Sequence, residues 1–286
     1  MNKLQLIILL AFQHVFEYSA NVETIIGNYS ATISQAASVL SSDVVSKNSM
    51  KICISVSSNL KENQENVVHE IMIKNRENIF EVQTKTFDHI YTCQTSNFFN
   101  IFIVNNHTSL KDIFEVMRHS KVDYNGKFLV VILELIDITQ ITIILNDFWS
   151  INIINVNVLV KTQRDENESQ LYTYLPFSKD ACSLVHPILW KTFKDGVFHG
   201  PGELYPNKVE NLNDCLLAAA AFDAPPFIKV NKENNGSYTF HGMDIEIMTI
   251  ATQLMKFRTN FTVLTDLIRW GAVYANGTSR GAIKMV

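Results

Sequence analysis

The sequence predicts an α/β fold whose N-terminal part is a layered domain with a mostly parallel sheet. Between residues 21 and 195, strand-like segments alternate with segments that have helical spacing, and this alternation is typical of layered α/β domains. The strand-like segments are nearly continuous apolar runs, which favours strands covered on both faces. A strand, a loop and a long helix between residues 211 and 257 predict a second unit.

The elements of the N-terminal part follow from this pattern. Residues 65–74 have apolar residues at helical spacing, and residues 109–119 form a second predicted helix with Ser109 as a plausible N-cap. Residues 138–149 are a third candidate helix. The predicted strands are 51–57, 79–84, 98–104, 127–133, 155–160 and 171–175. Neither GxGxxG nor GxxxxGK[ST] occurs between them, so nothing indicates a nucleotide site.

Glycine and proline separate this part from the C-terminal one. Residues 196–213 contain both at a density that breaks helices and strands, which predicts a linker between domains. From residue 214 onward the sequence predicts a strand, a helix and a second strand, at 216–222, 243–256 and 259–264. The first of these strands stops at a Pro-Pro turn, and Gly242 precedes the helix.

Residues 1–20 have the features of a secretory signal peptide. Lys3 precedes a short apolar run, and Ser19 and Ala20 provide small residues at a cleavage position. The run is too short to cross a bilayer, which requires about 20 apolar residues. A buried first strand is the alternative interpretation.

Other features of the composition agree with export. Six N-glycosylation sequons occur, at Asn28, Asn106, Asn167, Asn235, Asn260 and Asn276. The net charge is −4 and no run of Lys or Arg occurs, so nothing predicts nucleic-acid binding. After residue 20, charged residues interrupt every apolar stretch of about 20 residues, so the sequence predicts no transmembrane helix there.

The four cysteines, Cys53, Cys93, Cys182 and Cys215, predict disulfides in an exported chain, and three pairings are possible. We favour the Cys182–Cys215 pair, because these residues flank the Gly/Pro-rich segment and a bridge would pin the junction between the domains. Cys53 and Cys93 lie on or beside predicted strands, where they either form a bridge or remain buried thiols. No cysteine spacing matches a zinc site and the histidines are scattered, so no metal or cofactor is predicted.

The order of motifs in the last third of the chain resembles a known family. An apolar strand after Cys215 ends at Pro225-Pro226-Phe227, a polar loop follows, and Gly242 opens a Gly-x-Asp-Ile-Glu-Ile helix that runs to Lys256-Phe257. This order is similar to the opening of the ligand-binding domain of insect ionotropic receptors, a divergent branch of the ionotropic glutamate receptors. Further segments that resemble this family are 172–177, 200–208 and 270–281.

The resemblance implies a two-lobed ligand-binding domain of the periplasmic-binding-protein type, preceded by a variable α/β domain. The predicted organisation is a signal peptide (1–20), an N-terminal α/β extracellular domain (21–195), a linker (196–213) and a partial first lobe (214–286). It also implies the extracellular part of a chemosensory, ligand-gated cation channel subunit that binds a small molecule. The pore and second lobe are missing from this sequence, and co-receptor subunits would complete a tetramer.

The resemblance also suggests two ligand-binding residues. In the family's pattern an aromatic residue just before the helix-opening glycine packs over the ligand, and Phe240 is at that position. The turn at Phe227 borders the binding cleft. Glutamate receptors often have an acidic residue where this chain has Ala224, which argues against glutamate as the ligand. The alternative is that Phe227 and Phe240 are core aromatics.

Two other classes of function are alternatives to a receptor subunit. If the chain truly ends at Val286, the alternative is a secreted small-ligand-binding or decoy module, or a non-functional truncated product. If the protein continues, this region lies on the extracellular side of the cell membrane. No Gly-x-Ser-x-Gly or His-Glu-x-x-His motif occurs, so no enzyme is predicted. Asp223, His241 and Asp244 are explained as turn, loop and cap residues rather than catalytic groups.

Overall fold

The computed structural model describes residues 31–48, 50–56, 62–78, 80–84, 98–119, 126–162, 165, 167–178, 181–264, 270–274 and 278–285. The predicted signal peptide, Asn28, Cys93 and Asn276 lie outside these residues. The chain divides into two compact units. The first comprises Met1–Thr173 and Pro187–Tyr205, and the second comprises Tyr174–His186 and Pro206–Val286.

The described helices and strands are numbered in chain order. The strands are β1 (Lys51–Val56), β2 (Phe80–Thr84), β3 (Phe98–Val104), β4 (Lys127–Ile132), β5 (Val156–Lys161), β6 (Ser169–Thr173), β7 (Phe177–Ser178), β8 (Ala181–Cys182), β9 (Ile188–Lys194), β10 (Val197–His199), β11 (Cys215–Ala221), β12 (Lys229–Lys232), β13 (Tyr238–His241), β14 (Phe257–Val263), β15 (Ala272–Val273) and β16 (Ser279–Arg280). The helices are α1 (Ala31–Asn48), α2 (Glu62–Lys74), α3 (His107–His119), α4 (Ile138–Ser150) and α5 (Met243–Met255), followed by a 3₁₀ helix at Ala282–Met285.

One eight-stranded sheet organises the described part of the first unit. Its strand order is β10-β9-β6-β5-β4-β3-β1-β2. The strands from β2 to β5 pair in parallel, whereas β6, β9 and β10 are added in antiparallel pairs. The predicted α/β fold with a mostly parallel sheet is therefore confirmed. The parallel strands are buried along almost their full length, for example from Ile52 to Val56 in β1, as their continuous apolar sequence predicts.

Apolar side chains fill both faces of this sheet. On one face, alternate residues of β3 such as Ile101 and Ile103 join a buried cluster with Leu40 of α1 and Ile71 of α2. On the other face, the rings of Phe102, Phe114, Phe128 and Phe148 pack together, with the Phe114 and Phe148 centroids 4.7 Å apart. The period of two along each strand places neighbouring side chains in different layers.

The sequence reasoning missed several elements. Helix α1 was not predicted, although its apolar residues are buried. Strand β10 lies within the predicted linker, and Lys191 holds the loop after it by donating from Nζ to the carbonyls of Gly200 (3.3 Å) and Gly202 (2.7 Å). Helix α3 begins at His107 rather than after Ser109, because the side chain of Asn106 accepts a hydrogen bond from the Ser109 amide (3.3 Å).

The second unit is built around a strand–helix–strand segment. Strands β11 and β14 pair in parallel, and α5 connects β13 to β14 and packs against both. Strands β12 and β13 form an antiparallel hairpin, and β15 pairs with β16 in the same manner. The predicted strands and helix of this region agree with β11, α5 and β14 to within one or two residues.

A disulfide joins the two chain segments of the second unit. Cys182 of β8 and Cys215 of β11 have Cα atoms 5.5 Å apart, and 33 positions separate them in sequence. Asn213, two residues before Cys215, adds a hydrogen bond of 2.7 Å from its Nδ2 to the carbonyl of Phe177. Cys53 of β1 is also disulfide-bonded.

Candidate ligand-binding site

The turn that contains Phe227 and the start of α5 form one structure. The amides of Met243 and Asp244 donate to the carbonyls of Pro226 (3.3 Å) and Phe227 (3.1 Å). Gly242 has φ 121° and ψ 174°, and a Cβ at this position would overlap the carbonyl oxygen of Phe227. The missing side chain therefore allows the backbone of the turn to pack directly against the helix start.

The two aromatic residues at this turn have different surroundings. Phe227 is 46% exposed. Phe240 is half-buried, and its ring packs on Phe261 of β14 with the centroids 4.7 Å apart. Phe227 is therefore accessible to a ligand, whereas Phe240 already contributes to the packing between β13 and β14.

Two acidic residues lie beside this turn, and each has a structural role. The carboxylate of Asp223 accepts a hydrogen bond from the amide of Val230 (3.1 Å), which fixes the start of the β12–β13 hairpin. Asp244 lies in the first turn of α5, where a negative charge stabilises the helix dipole. Asp223 therefore acts as a turn residue, as its sequence position indicates, whereas the N-cap of α5 is Gly242 rather than Asp244.

A pocket of about 450 Å³ lies elsewhere in the second unit. Its lining combines apolar, amide and charged side chains: Leu175, Phe177, Leu254, Asn207, Asn211, Asn213, Lys208, Glu210 and Lys256. Neither Phe227 nor Phe240 lines it. The sequence reasoning missed this pocket, because most of its polar residues come from the stretch that was interpreted as a linker.

Lys208 has the most perturbed environment among the residues of this pocket. It is only 5% exposed, and its Nζ lies 4.3 Å from the centroid of the Tyr174 ring. Burial lowers the pKa of Lys208 from 10.5 to about 7, because removal of water penalises the charged amine. Burial also raises the pKa of Tyr174. An amine of this kind changes charge close to neutral pH.

Stability should therefore depend on pH through Lys208. The unfolded chain keeps this amine protonated up to about pH 10.5, whereas the folded chain releases the proton near pH 7. Above pH 7 the unfolded state binds more protons than the folded state, so the free energy of unfolding should rise with pH by about 1 kcal/mol per unit.

Denaturant unfolding between pH 7 and pH 9 measures this slope. Lys208→Met should abolish it, whereas Lys256→Met, which changes an exposed lysine of the same pocket, should leave it in place. An equal slope in the Lys208 variant would contradict the prediction.

The first unit has a second candidate position, at the carboxyl edge of its parallel strands. The strand order changes direction between β1 and β3, and in open α/β sheets ligands bind in the crevice at such a point. Next to this point, at the ends of β3 and β4, Asn106 donates from Nδ2 to Glu134 Oε2 (3.0 Å). Gln64 of α2 is buried and donates to the carbonyl of Ile103 (3.1 Å).

Four of the six sequons lie within the described residues. Asn167, Asn235 and Asn260 are exposed, whereas Asn106 is half-buried and uses its side chain to cap α3. Among the residues that the structure describes, no group of His, Cys, Asp or Glu could hold a metal ion. In that same part of the chain, no helix is long and apolar enough to cross a membrane.

Comparison with known families decides how these positions are interpreted. The model of the family described as "Putative ionotropic receptor, ligand binding domain" matches residues 28–211, which is more than half of the 286-residue chain. The chain belongs to this family. A search of the curated proteins found no matching relative. The predicted resemblance to ionotropic receptors is confirmed.

The matched range includes only one of the two candidate positions. It contains the eight-stranded sheet of the first unit and the pocket residues Asn207, Lys208, Glu210 and Asn211. It ends before Phe227 and Phe240. The family's ligand-binding domain therefore includes the carboxyl edge of β3 and β4, a position that the sequence reasoning did not consider. Locating this position requires the order of the strands within the sheet. The positions of the strands along the sequence do not give that order.

Proposed function

We propose that this chain is the extracellular part of a chemosensory ionotropic receptor, a ligand-gated cation channel subunit. The match of the ionotropic-receptor ligand-binding-domain family to residues 28–211 carries this proposal. The ordered motifs after Cys215 support it independently, because they lie outside the matched range and were recognised from sequence. Ligand binding would shift the receptor between two conformations, and the pore would respond to that shift.

Two positions are the candidate ligand contacts. The first is the turn at Phe227, with Phe240 beside it, in the second unit. The second is the carboxyl edge of the first unit's sheet, where Asn106 and Glu134 meet. Each places a polar or aromatic group next to backbone that helices and strands hold in place, and small-molecule sites orient their ligands with a few such groups.

Ligand binding by the purified chain tests the proposal. Thermal unfolding is measured across a panel of small organic compounds, because a compound that binds the folded state raises the melting temperature. Calorimetry then compares Phe227→Ala and Glu134→Gln with the unmodified chain. The variant at the true site should lose at least about tenfold in affinity, which corresponds to 1.4 kcal/mol.

Tyr238→Ala is the matched control for Phe227→Ala, because Tyr238 is an exposed aromatic residue on the β12–β13 hairpin. It should bind the compound with unchanged affinity. If no compound binds, the ligand-binding part of the proposal is wrong. If compounds bind but both variants keep full affinity, the two positions are wrong and the 450 Å³ pocket becomes the site to test.

The channel part of the proposal needs a different measurement. Sequencing the transcript across the codon for Val286 should show a frame that continues into apolar segments of about 20 residues. Ligand-evoked current in cells that express this longer frame with co-receptor subunits would support a channel. A stop codon directly after Val286 would contradict a channel role for this product.

A further inference from the structure

The β11–β14 pair has one open face. Alternate residues of β14, namely Phe257, Phe261 and Val263, are half-buried, whereas Arg258, Asn260 and Thr262 are exposed. In the parallel register Leu216, Ala218 and Ala220 of β11 lie beside these three exposed residues. Leu216 is 53% exposed. Among the described residues, nothing covers the centre of this face, which Asn260 occupies.

Asn260 and Thr262 are also the acceptor and hydroxyl residues of a sequon. Because they are two residues apart in a strand, their side chains leave the same face. The register partner of Asn260 is Ala218, and that of Thr262 is Ala220. Both are small residues that leave the acceptor amide unobstructed. Arg258 is the long neighbour on this face, and its Nε donates to the carbonyl of Asp214 (3.1 Å).

We propose that Asn260 carries an N-linked glycan and that this glycan, rather than a protein surface, covers the open face of β11 and β14. An N-glycan is bulky and hydrated, so a glycan at the centre of a two-stranded sheet excludes a second protein layer from that face. The inference rests on the extracellular location proposed above.

Asn106 and Asn235 show what distinguishes Asn260. Asn106 already donates from Nδ2 to Glu134, at 3.0 Å, and its Oδ1 caps α3. Asn235 lies at the exposed tip of the β12–β13 hairpin, where its Oδ1 accepts from the amide and hydroxyl of Ser237 (2.9 and 2.7 Å). The hairpin tip is open to solvent whatever covers the sheet. Asn235 is therefore an internal control for exposure to the glycosylation machinery, and Asn260 tests the sheet face.

The experiment expresses the full chain in insect cells with a heterologous secretion signal in place of residues 1–20. The secreted protein is deglycosylated enzymatically in ¹⁸O water, and peptide mapping identifies each asparagine converted to labelled aspartate. Labelled Asn235 and labelled Asn260 are expected in protein whose Cys182–Cys215 disulfide is intact. Hydrogen exchange of the glycosylated protein should show β11 and β14 protected.

Two variants of the sequon's hydroxyl residue control this experiment. Thr262→Val removes the sequon with little change in shape and should remove one glycan, whereas Thr262→Ser keeps the sequon and should keep the glycan. Labelled Asn235 with unlabelled Asn260 would overturn the inference, and so would a glycan at Asn260 confined to protein with unprotected β11 and β14. The native residues 1–20 are tested separately for export. If residues 1–20 do not direct secretion although the heterologous signal yields a folded chain glycosylated at Asn260, the proposed extracellular location is wrong. In that case the inference about the open face of β11 and β14 is still supported.

Discussion

Gly242→Ala is expected to destabilise the second unit by about 3 kcal/mol. The φ of 121° and ψ of 174° at Gly242 lie in a region that is essentially restricted to glycine. A Cβ would overlap the Phe227 carbonyl oxygen and lie 2.8 Å from its carbonyl carbon and 2.9 Å from the Pro226 oxygen. These contacts are with backbone, so no side-chain rotation relieves them. Hydrogen exchange of peptides from β11, α5 and β14 measures the loss within this unit.

Gly236→Ala provides the control for this effect. Gly236 also has a positive φ, of 86°, but nothing lies within 4 Å of a Cβ placed there. The substitution should therefore cost only the conformational penalty of about 1 kcal/mol. Equal losses for the two variants would show that the packing of the Phe227 turn against α5 contributes nothing. Gly242→Ala should also weaken any ligand held by Phe227, because the turn must move to admit the methyl group.

The sequence predicted the parallel strands well, because their signal is local. The apolar runs of β1, β3 and β4 are continuous, and a continuous run of strand length is itself evidence for a buried parallel strand. Helix α4 was also recognised, and the structure adds a capping box in which Asp137 and Gln140 exchange hydrogen bonds. Such motifs need no knowledge of distant residues.

The buried positions of Tyr205 and Lys208 were missed, because they depend on contacts between residues far apart in sequence. The hydroxyl of Tyr205 donates to the carbonyl of Phe128 (2.8 Å), 77 residues away, and its ring packs edge-on against Phe99. A Gly/Pro-rich stretch that ends in such a tyrosine gives no local sign that it belongs to a core. The same holds for Lys208, because lysine is almost never fully buried and its sequence neighbours are polar. Its lowered pKa arises from the fold alone.

The candidate site was predictable in part. The motif order located the turn at Phe227 and the glycine that supports it, since Pro-Pro and Gly have conformations that restrict where they occur. Whether Phe227 and Phe240 are ligand contacts or core aromatics was left open, because exposed Phe227 and Phe240 packed on Phe261 differ only in tertiary contacts that the sequence does not show. The carboxyl edge at Asn106 and Glu134 required the strand order, and strand order depends on which strands pair.

Loss of the Cys182–Cys215 disulfide is expected to cost the second unit about 3–4 kcal/mol. The bond closes a loop of 33 positions in sequence, and the cost follows from the entropy that the cross-link removes from the unfolded chain. The effect should be concentrated in this unit, because the bond joins its two chain segments, Tyr174–His186 and Pro206–Val286. Denaturant unfolding, monitored by hydrogen exchange of peptides from β11 and β14, measures this loss of stability.

Two single variants separate the cross-link from the packing of the sulfur atoms. Cys182 is exposed, so Cys182→Ala removes the bond while Cys215 remains as a buried thiol, which packs like a small apolar residue. Cys215 is 1% exposed, so Cys215→Ala removes the bond and also leaves a small cavity. Cys215→Ala should therefore be the less stable variant, by about 1 kcal/mol. If Cys182→Ala unfolds within about 1 kcal/mol of the unmodified chain, the hydrogen bond from Asn213 to Phe177 and the β7–β8 pairing already hold the two segments together. That result would contradict the expected contribution of the cross-link to the stability of this unit.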